Sequence, residues 1–220
     1  MNDKWSWDYV AEILPDLLRG LLVTVQATAL GAILAYALGL VLALLRRSQI
    51  PVLSQLTWAF IEVIRSTPLL VHIYFVFNVL PQFGITLSPL TSGVLAIGVH
   101  YACYTAEVYR AGIDGVPRGQ WEACTALSLP RGRVWTAVIL PQAIPRVLPA
   151  LGNYTISMYK EVPLMFAIGV LDIVGRAQEA ASESFRAVEP YTIAGLFFLA
   201  LSYPAGVLVR RLERRVGYAQ

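Results

Sequence analysis

Long apolar stretches separated by short clusters of charge set the pattern of this chain. Residues 20–45 are 26 positions without a charged side chain, closed by Arg46 and Arg47. A second apolar stretch starts at Ser48 and continues past Glu62 and Arg65 to about Leu80. Residues 66–106 hold 41 uncharged positions, too many for one helix, and Pro81, Gly84 and Pro89 punctuate them as a turn. A fourth stretch, 147–171, is interrupted by Lys160 and Glu161, and a fifth, 190–209, carries no charge. About 20 apolar residues in a helix cross a bilayer core. The pattern therefore predicts an all-α polytopic membrane protein, one domain over 1–220. Its five spans lie near 17–45, 53–80, 90–109, 147–171 and 190–209, with a polar loop at about 110–146.

Composition agrees. Hydrophobic residues make up 57% of the 220 positions and charged residues 14%, against about 45–50% and about 25% in soluble domains. A chain of this size has too little interior to hide so much apolar surface from water. The net charge of +3 is too small and too dispersed for a nucleic-acid partner. Cys103 and Cys124 form no CxxC and read as ordinary small residues, with no metal site. The first ten residues, MNDKWSWDYV, lack the basic segment of a cleavable signal peptide.

Basic residues orient the spans. Arg46, Arg47, Arg110, Arg118, Arg131, Arg133, Arg146, Arg210, Arg211, Arg214 and Arg215 fall on one side. Lys4, Arg19, Arg176 and Arg186 fall on the other, with an excess of acids, while Arg65 and Lys160 lie inside spans. This places the N-terminus outside and the C-terminus in the cytoplasm, with Trp5, Trp7 and Tyr9 as an outer aromatic anchor.

Span one repeats a small residue every fourth position, at Ala27, Gly31, Ala35, Gly39 and Ala43. Such a ridge admits a second helix at close range, from the same subunit or from a partner. Charge inside the membrane is the stronger chemical signal, because it is costly and usually faces a cavity or a partner. Lys160 and Glu161 sit three and two residues before Pro163, about 100° apart on a helix, so they do not satisfy each other. An inter-helix salt bridge to Glu62 or Arg65 is the structural alternative. EVIRSTP, residues 62–68, is a parallel interruption in which Thr67 stands beside Pro68. Two interrupted helices suggest a polar path, lined by Thr67, Lys160 and Glu161, with His100 and Tyr104 as further candidates. His72 and His100 otherwise read as packed, hydrogen-bonded histidines. No P-loop, GxSxG or HExxH is present, so the chain is expected to be no enzyme, to hold no ATP and to need no cofactor or metal of its own.

Residues 120–127 read as a short helix with Trp121, Cys124 and Leu127 on one face. Ser128 precedes Leu129-Pro130 as a plausible N-cap, and a second helix is expected to run to about Leu140 and stop before Pro141. Two short amphipathic helices suit a docking surface, or a segment lying on lipid.

This segment carries a family resemblance. Glu122-Ala123-Cys124, Ser128, Val138, Leu140 and Pro141 resemble the motif EAA-x3-G-x9-I-x-LP of the membrane subunits of bacterial ATP-binding-cassette importers. ACYTAEVYRAGIDGVPRGQWEA (102–123), RSTPLL (65–70), LPQAIPRVLPALGN (140–153) and KEVPL (160–164) resemble the polar-amino-acid branch: histidine, glutamine and arginine permeases and the ectoine/hydroxyectoine permeases, with the wording leaning towards ectoine. The resemblance implies an inner-membrane permease subunit of five helices, paired with an identical or homologous permease subunit. Its other partners would be two ATPase subunits, which bind the ATP, an extracytoplasmic solute-binding protein, and membrane lipid. It implies that Gly119, Glu122, Ala123, Cys124, Leu127, Ser128, Leu140 and Pro141 couple the chain to the ATPase. Cys124, Ser128 and Val138 depart from the motif's Ala, Gly and Ile. Ser128 matters most, because a glycine at a turn often has φ > 0, which costs another residue about 1 kcal/mol. A stand-alone secondary transporter or channel is the rival reading, but no internal repeat is visible to build both halves of a pathway. An intramembrane enzyme finds little support in two isolated histidines.

Overall fold

The computed structural model describes residues 5–217, which are helices and their connections with no strand among them. Helix α1 (Trp7–Arg46) starts where the Ser6 hydroxyl accepts from the Tyr9 N–H at 3.3 Å. Its 40 residues extend about 60 Å, beginning ten positions before the expected 17. The extra turns bring Ile13 beside Leu17 against Ile173, Ala177 and Ala194, a contact that no local pattern announces. Of the expected aromatic anchor, Trp7 is exposed while the Tyr9 hydroxyl is tied to Ala180 O at 2.9 Å; Asp3 and Lys4 lie outside the described residues.

The small-residue ridge packs inside the subunit. Ala27, Gly31, Ala35, Gly39 and Ala43 are all buried, and they face α4 (Pro89–Asp114). A Cβ on Gly31 would stand 2.8 Å from Ile97 Cγ2, and one on Gly39 would overlap Thr105 Oγ1. Thr105 Oγ1 donates to Ala35 O at 2.9 Å across the same seam.

The expected span at 53–80 is not one helix. α2 (Pro51–Arg65) ends at Ser66, and the chain turns by 104° into α3 (Leu69–Tyr74), continued by a π turn (Phe75–Val79) and a 3-10 turn (Leu80–Phe83). Pro68 has no N–H to continue the ladder, and the residue before a proline avoids the helical region. The 15 residues of α2 reach only about 22 Å, short of a bilayer core.

Helix α4 packs against α1, α2, α3 and α7 (Leu140–Glu161). Trp7–Arg46, Arg131–Ile168 and Val188–Arg215 are each long and apolar enough to cross a membrane, and the bent α2–α3 pair makes a fourth if taken as one span. The 26-residue α4 is not among them. Its neighbours are protein, so its buried face includes Ser92, His100 and Thr105 in place of purely apolar side chains.

After α4 come α5 (Arg118–Ala126) and the single turn α6 (Arg131–Arg133). The second loop helix does not stop at Pro141. It passes from α6 through a π stretch (Val134–Ile139) into α7, so Pro141 lies inside one continuous helical run, just after the π stretch. The fourth span is therefore a 38-residue helical segment, ending in a 3-10 stretch (Val162–Ile168).

Between the expected fourth and fifth spans lies a further helix, α8 (Ile173–Ser184), before α9 (Val188–Gly217). Asp172 caps α8: its Oδ1 accepts from Gly175 N–H at 2.9 Å, while Thr24 Oγ1 of α1 accepts from Ile173 N–H at 3.2 Å. Burial pushes the Asp172 carboxyl above the usual range, against the pull of backbone donors such as the Gly175 N–H.

Candidate functional site

Two helix breaks meet beside α4. The first is Ser66-Thr67-Pro68, and the second is the end of α7 at Glu161, ahead of Pro163. Between them opens a cavity of about 440 Å³ lined by Arg65, Ser66, Thr67, His100, Tyr104 and Glu161, with Pro68 and three leucines completing the wall.

Each polar group is held from behind. The Tyr101 hydroxyl donates to Glu161 Oε2 at 2.8 Å, fixing a carboxylate at the cavity edge. Arg65 places its guanidinium 5.2 Å from the Tyr104 ring centroid, and the Tyr104 hydroxyl reaches Arg65 O at 3.4 Å. Thr67 Oγ1 donates to Val63 O at 2.8 Å and keeps its lone pairs for an incoming donor. His72 Nδ1 and His100 Nδ1 lie 3.2 Å apart, one donating to the other, so the histidines that looked isolated in sequence form a pair joining α3 to α4. The rings of His100, Tyr101, Tyr104 and Tyr154 form a chain of edge-on and tilted contacts, with successive centroids 5.2–6.0 Å apart. A carboxylate, a guanidinium and hydroxyls lining one small cavity suit a small solute carrying both charges.

Thr67, His100, Tyr104 and Glu161 thus come together as the sequence reading grouped them, but Lys160 does not. It faces a separate groove with Pro163, Phe198, Leu199, Ser202 and Tyr203. Neighbours on a helix diverge by about 100°, so the residue that turns Glu161 inward turns Lys160 outward. The inter-helix salt bridge left open in the sequence does not form either, since Arg65 pairs with Glu62 of its own helix at 3.2 Å. Arg65 and Tyr101 were missed as site residues. Tyr101 stands three residues before Tyr104 on α4, so the helical period was the available signal for it; for Arg65 the signal was its charge inside a span.

The second candidate surface is α5. Gly119, Glu122, Ala123, Leu127 and Ser128 are exposed, Leu140 is half-buried, Pro141 is exposed, and Cys124 is buried at 4% exposure. Leu127 does not share the inner face expected for it with Trp121 and Cys124; it caps the helix and is 71% exposed. The inner side of α5 rests on the following segment, with Trp121 and Trp135 edge to face at 5.6 Å. The helix ends in a Schellman turn: Leu129 N–H donates to Cys124 O at 3.0 Å and Ser128 N–H to Thr125 O at 2.9 Å. Ser128 has φ 49°, so it is the left-handed residue that closes α5 and not the N-cap of the next helix. Ser128→Gly should therefore leave stability unchanged or raise it by up to about 1 kcal/mol, because relief of the left-handed strain outweighs or matches the added chain entropy. A shift in Tm of the purified protein reads this directly, and a clear drop would restore the capping role.

Residues 35–218 match the family model described as "Binding-protein-dependent transport system inner membrane component". The chain is similar to a probable amino-acid ABC transporter permease protein of Sinorhizobium fredii, 40% identical over 216 residues that cover 95% of this chain and 94% of the relative. It is also similar to the glutamine transport system permease protein of Escherichia coli, 32% identical over 97% of this chain and 98% of the relative. Among solved structures, a chain of an amino acid ABC transporter crystallised with histidines superimposes with a TM-score of 0.89 at 35% identity, covering 96% of this chain and 99% of its own.

Proposed function

The chain belongs to the binding-protein-dependent transport system inner membrane component family, and from that premise we propose that it is the permease subunit of an ATP-driven importer for a polar amino acid or a related zwitterion such as ectoine or hydroxyectoine. The cavity between the two helix breaks carries the reading: Glu161 suits the cationic end of such a solute and Arg65 its carboxylate. The amino-acid class is supported by the relatives, which are described as amino-acid and glutamine permeases. The proposal includes five membrane passages, counting α4, with the N-terminus outside and the coupling loop in the cytoplasm. It also includes a second permease subunit, a solute-binding protein and a separate ATPase that docks on α5. A cysteine at position 122, exposed where Cys124 is buried, should label only from the cytoplasmic side.

The test is uptake in cells expressing the chain with its co-encoded ATPase and binding protein, comparing L-glutamine, L-arginine, L-histidine and ectoine. Saturable uptake of one of them, lost without the chain, is expected; uptake that persists without the ATPase would favour a stand-alone transporter. Coupling has its own measurement. Glu122→Lys reverses a charge on the exposed side of α5 and should cut solute-stimulated ATP hydrolysis and uptake together by tenfold or more, with membrane insertion unchanged. Normal stimulated hydrolysis and uptake in that variant would remove α5 from the coupling path.

A further inference from the structure

Arg65 contributes to the cavity wall, yet its guanidinium is not free to meet a solute. Its Nη1 lies 3.2 Å from Glu62 Oε1 on the same helix, and its Cζ lies over the Tyr104 ring. Its Nε is buried and has no hydrogen-bond partner. A guanidinium has five donors in a rigid fork that matches a carboxylate at two points, and Glu62 engages only one of them in an ion pair. Glu62 itself does not line the cavity. It is the last acid before the helix break, three residues before Arg65, with its side chain 45% exposed.

We propose that Glu62 is a built-in stand-in for the solute's carboxylate. It holds Arg65 over Tyr104 while the cavity is empty, and it gives Arg65 up when a solute carboxylate offers a two-point contact. The inference rests on the cavity being the solute site and assigns Glu62 as a positioning residue acting through Arg65. The physical reason is competition. The Glu62 pair is a single contact of 3.2 Å, whereas a solute carboxylate can take two donors of the fork at once, and a bidentate guanidinium–carboxylate contact is stronger. The exchange leaves Arg65 neutralised in both states, and the charge it uncovers is that of Glu62, whose side chain is 45% exposed and lies outside the cavity. It also selects for solutes with a carboxylate, because a neutral carboxamide offers nothing that displaces Glu62.

The test is direct binding of radiolabelled L-glutamine, L-arginine, L-histidine and ectoine to the detergent-purified permease–ATPase complex without the binding protein, followed by the same assay on the carboxamide of the tightest binder. Glu62→Gln keeps the shape and removes the competing charge, so the carboxylate probe should bind about three- to fivefold tighter, while the carboxamide's affinity should not change. Glu62→Ala should give the same tightening, which separates competition from an effect of the glutamine itself. A merely structural Glu62 would shift both probes alike, and that result, or unchanged or weaker carboxylate binding in both variants, overturns the proposal. Glu161→Gln run in parallel separates the two levels. If it weakens binding while the Glu62 variants do nothing, the stand-in fails and the cavity reading survives. If it has no effect, or if no probe binds the wild-type complex, the cavity reading fails and the inference falls with it.

Discussion

Glu161→Gln is expected to lower solute uptake at least tenfold, with the assembled complex recovered in normal amount. Glutamine has the volume of glutamate and still offers a carbonyl oxygen to the Tyr101 hydroxyl, which donates to Glu161 Oε2 at 2.8 Å. The backbone needs no adjustment, because Glu161 closes α7 immediately before the 3-10 stretch that begins at Val162. What disappears is the negative charge at the cavity edge. A hydrogen bond to a charged group contributes about 1.5–3 kcal/mol, which is roughly ten- to 150-fold in an equilibrium or rate. The measurement is uptake per assembled complex. Wild-type uptake, or a loss traced wholly to missing complex, would make Glu161 a structural residue.

The second large effect lies far from the cavity. Gly39→Leu should remove folded subunit from the membrane. Even the first added carbon would overlap Thr105 Oγ1 and stand 2.9 Å from the backbone oxygen of Ala102, neither of which is the loose end of a long side chain. Relief requires α1 and α4 to separate, which would break the Thr105–Ala35 hydrogen bond and uncover Ala35 and Ala43, both almost fully buried. Overpacking of a tight core costs about 1–3 kcal/mol, and a rigid helix seam falls at the upper end. Gly195→Ala is the control, since nothing lies within 4 Å of a Cβ there; helix propensity alone predicts a small gain. Subunit abundance in membranes and Tm in detergent separate the two variants. A normal Tm for Gly39→Leu would mean that α1 and α4 are not held together along this ridge.

Much of this arrangement was legible one residue type at a time. Apolar length determined that the chain is helical and suited to a membrane, because an unpaired backbone group in hydrocarbon is too costly for any other open structure. Pro68 and Pro163 marked the helix breaks, since a missing N–H is a local fact. Thr67 and Glu161 stood out because charge and hydroxyls beside a break are rare in an apolar run. The motif around Glu122 located the exposed helix through its resemblance to a family.

Tertiary structure decided the rest, and in each case the deciding contact joins residues far apart in the chain. The early start of α1 depends on Ile13, beside Leu17, meeting Ile173 and Ala194. The small-residue ridge was compatible with a neighbour in the same subunit or another, and only the position of Thr105 settles it for Gly39. Lys160 and Glu161 are adjacent and both ionisable, yet the rotation of α7 against α4 and α9 sends one to the cavity and the other to a separate groove. His72 and His100 are 28 positions apart and pair only because the 104° turn after α2 lays α3 against α4. Sequence patterns report each residue's own preference for water, lipid or a turn. Which side chains share a cavity depends on the packing angles between helices, set by side chains that interlock across the whole subunit.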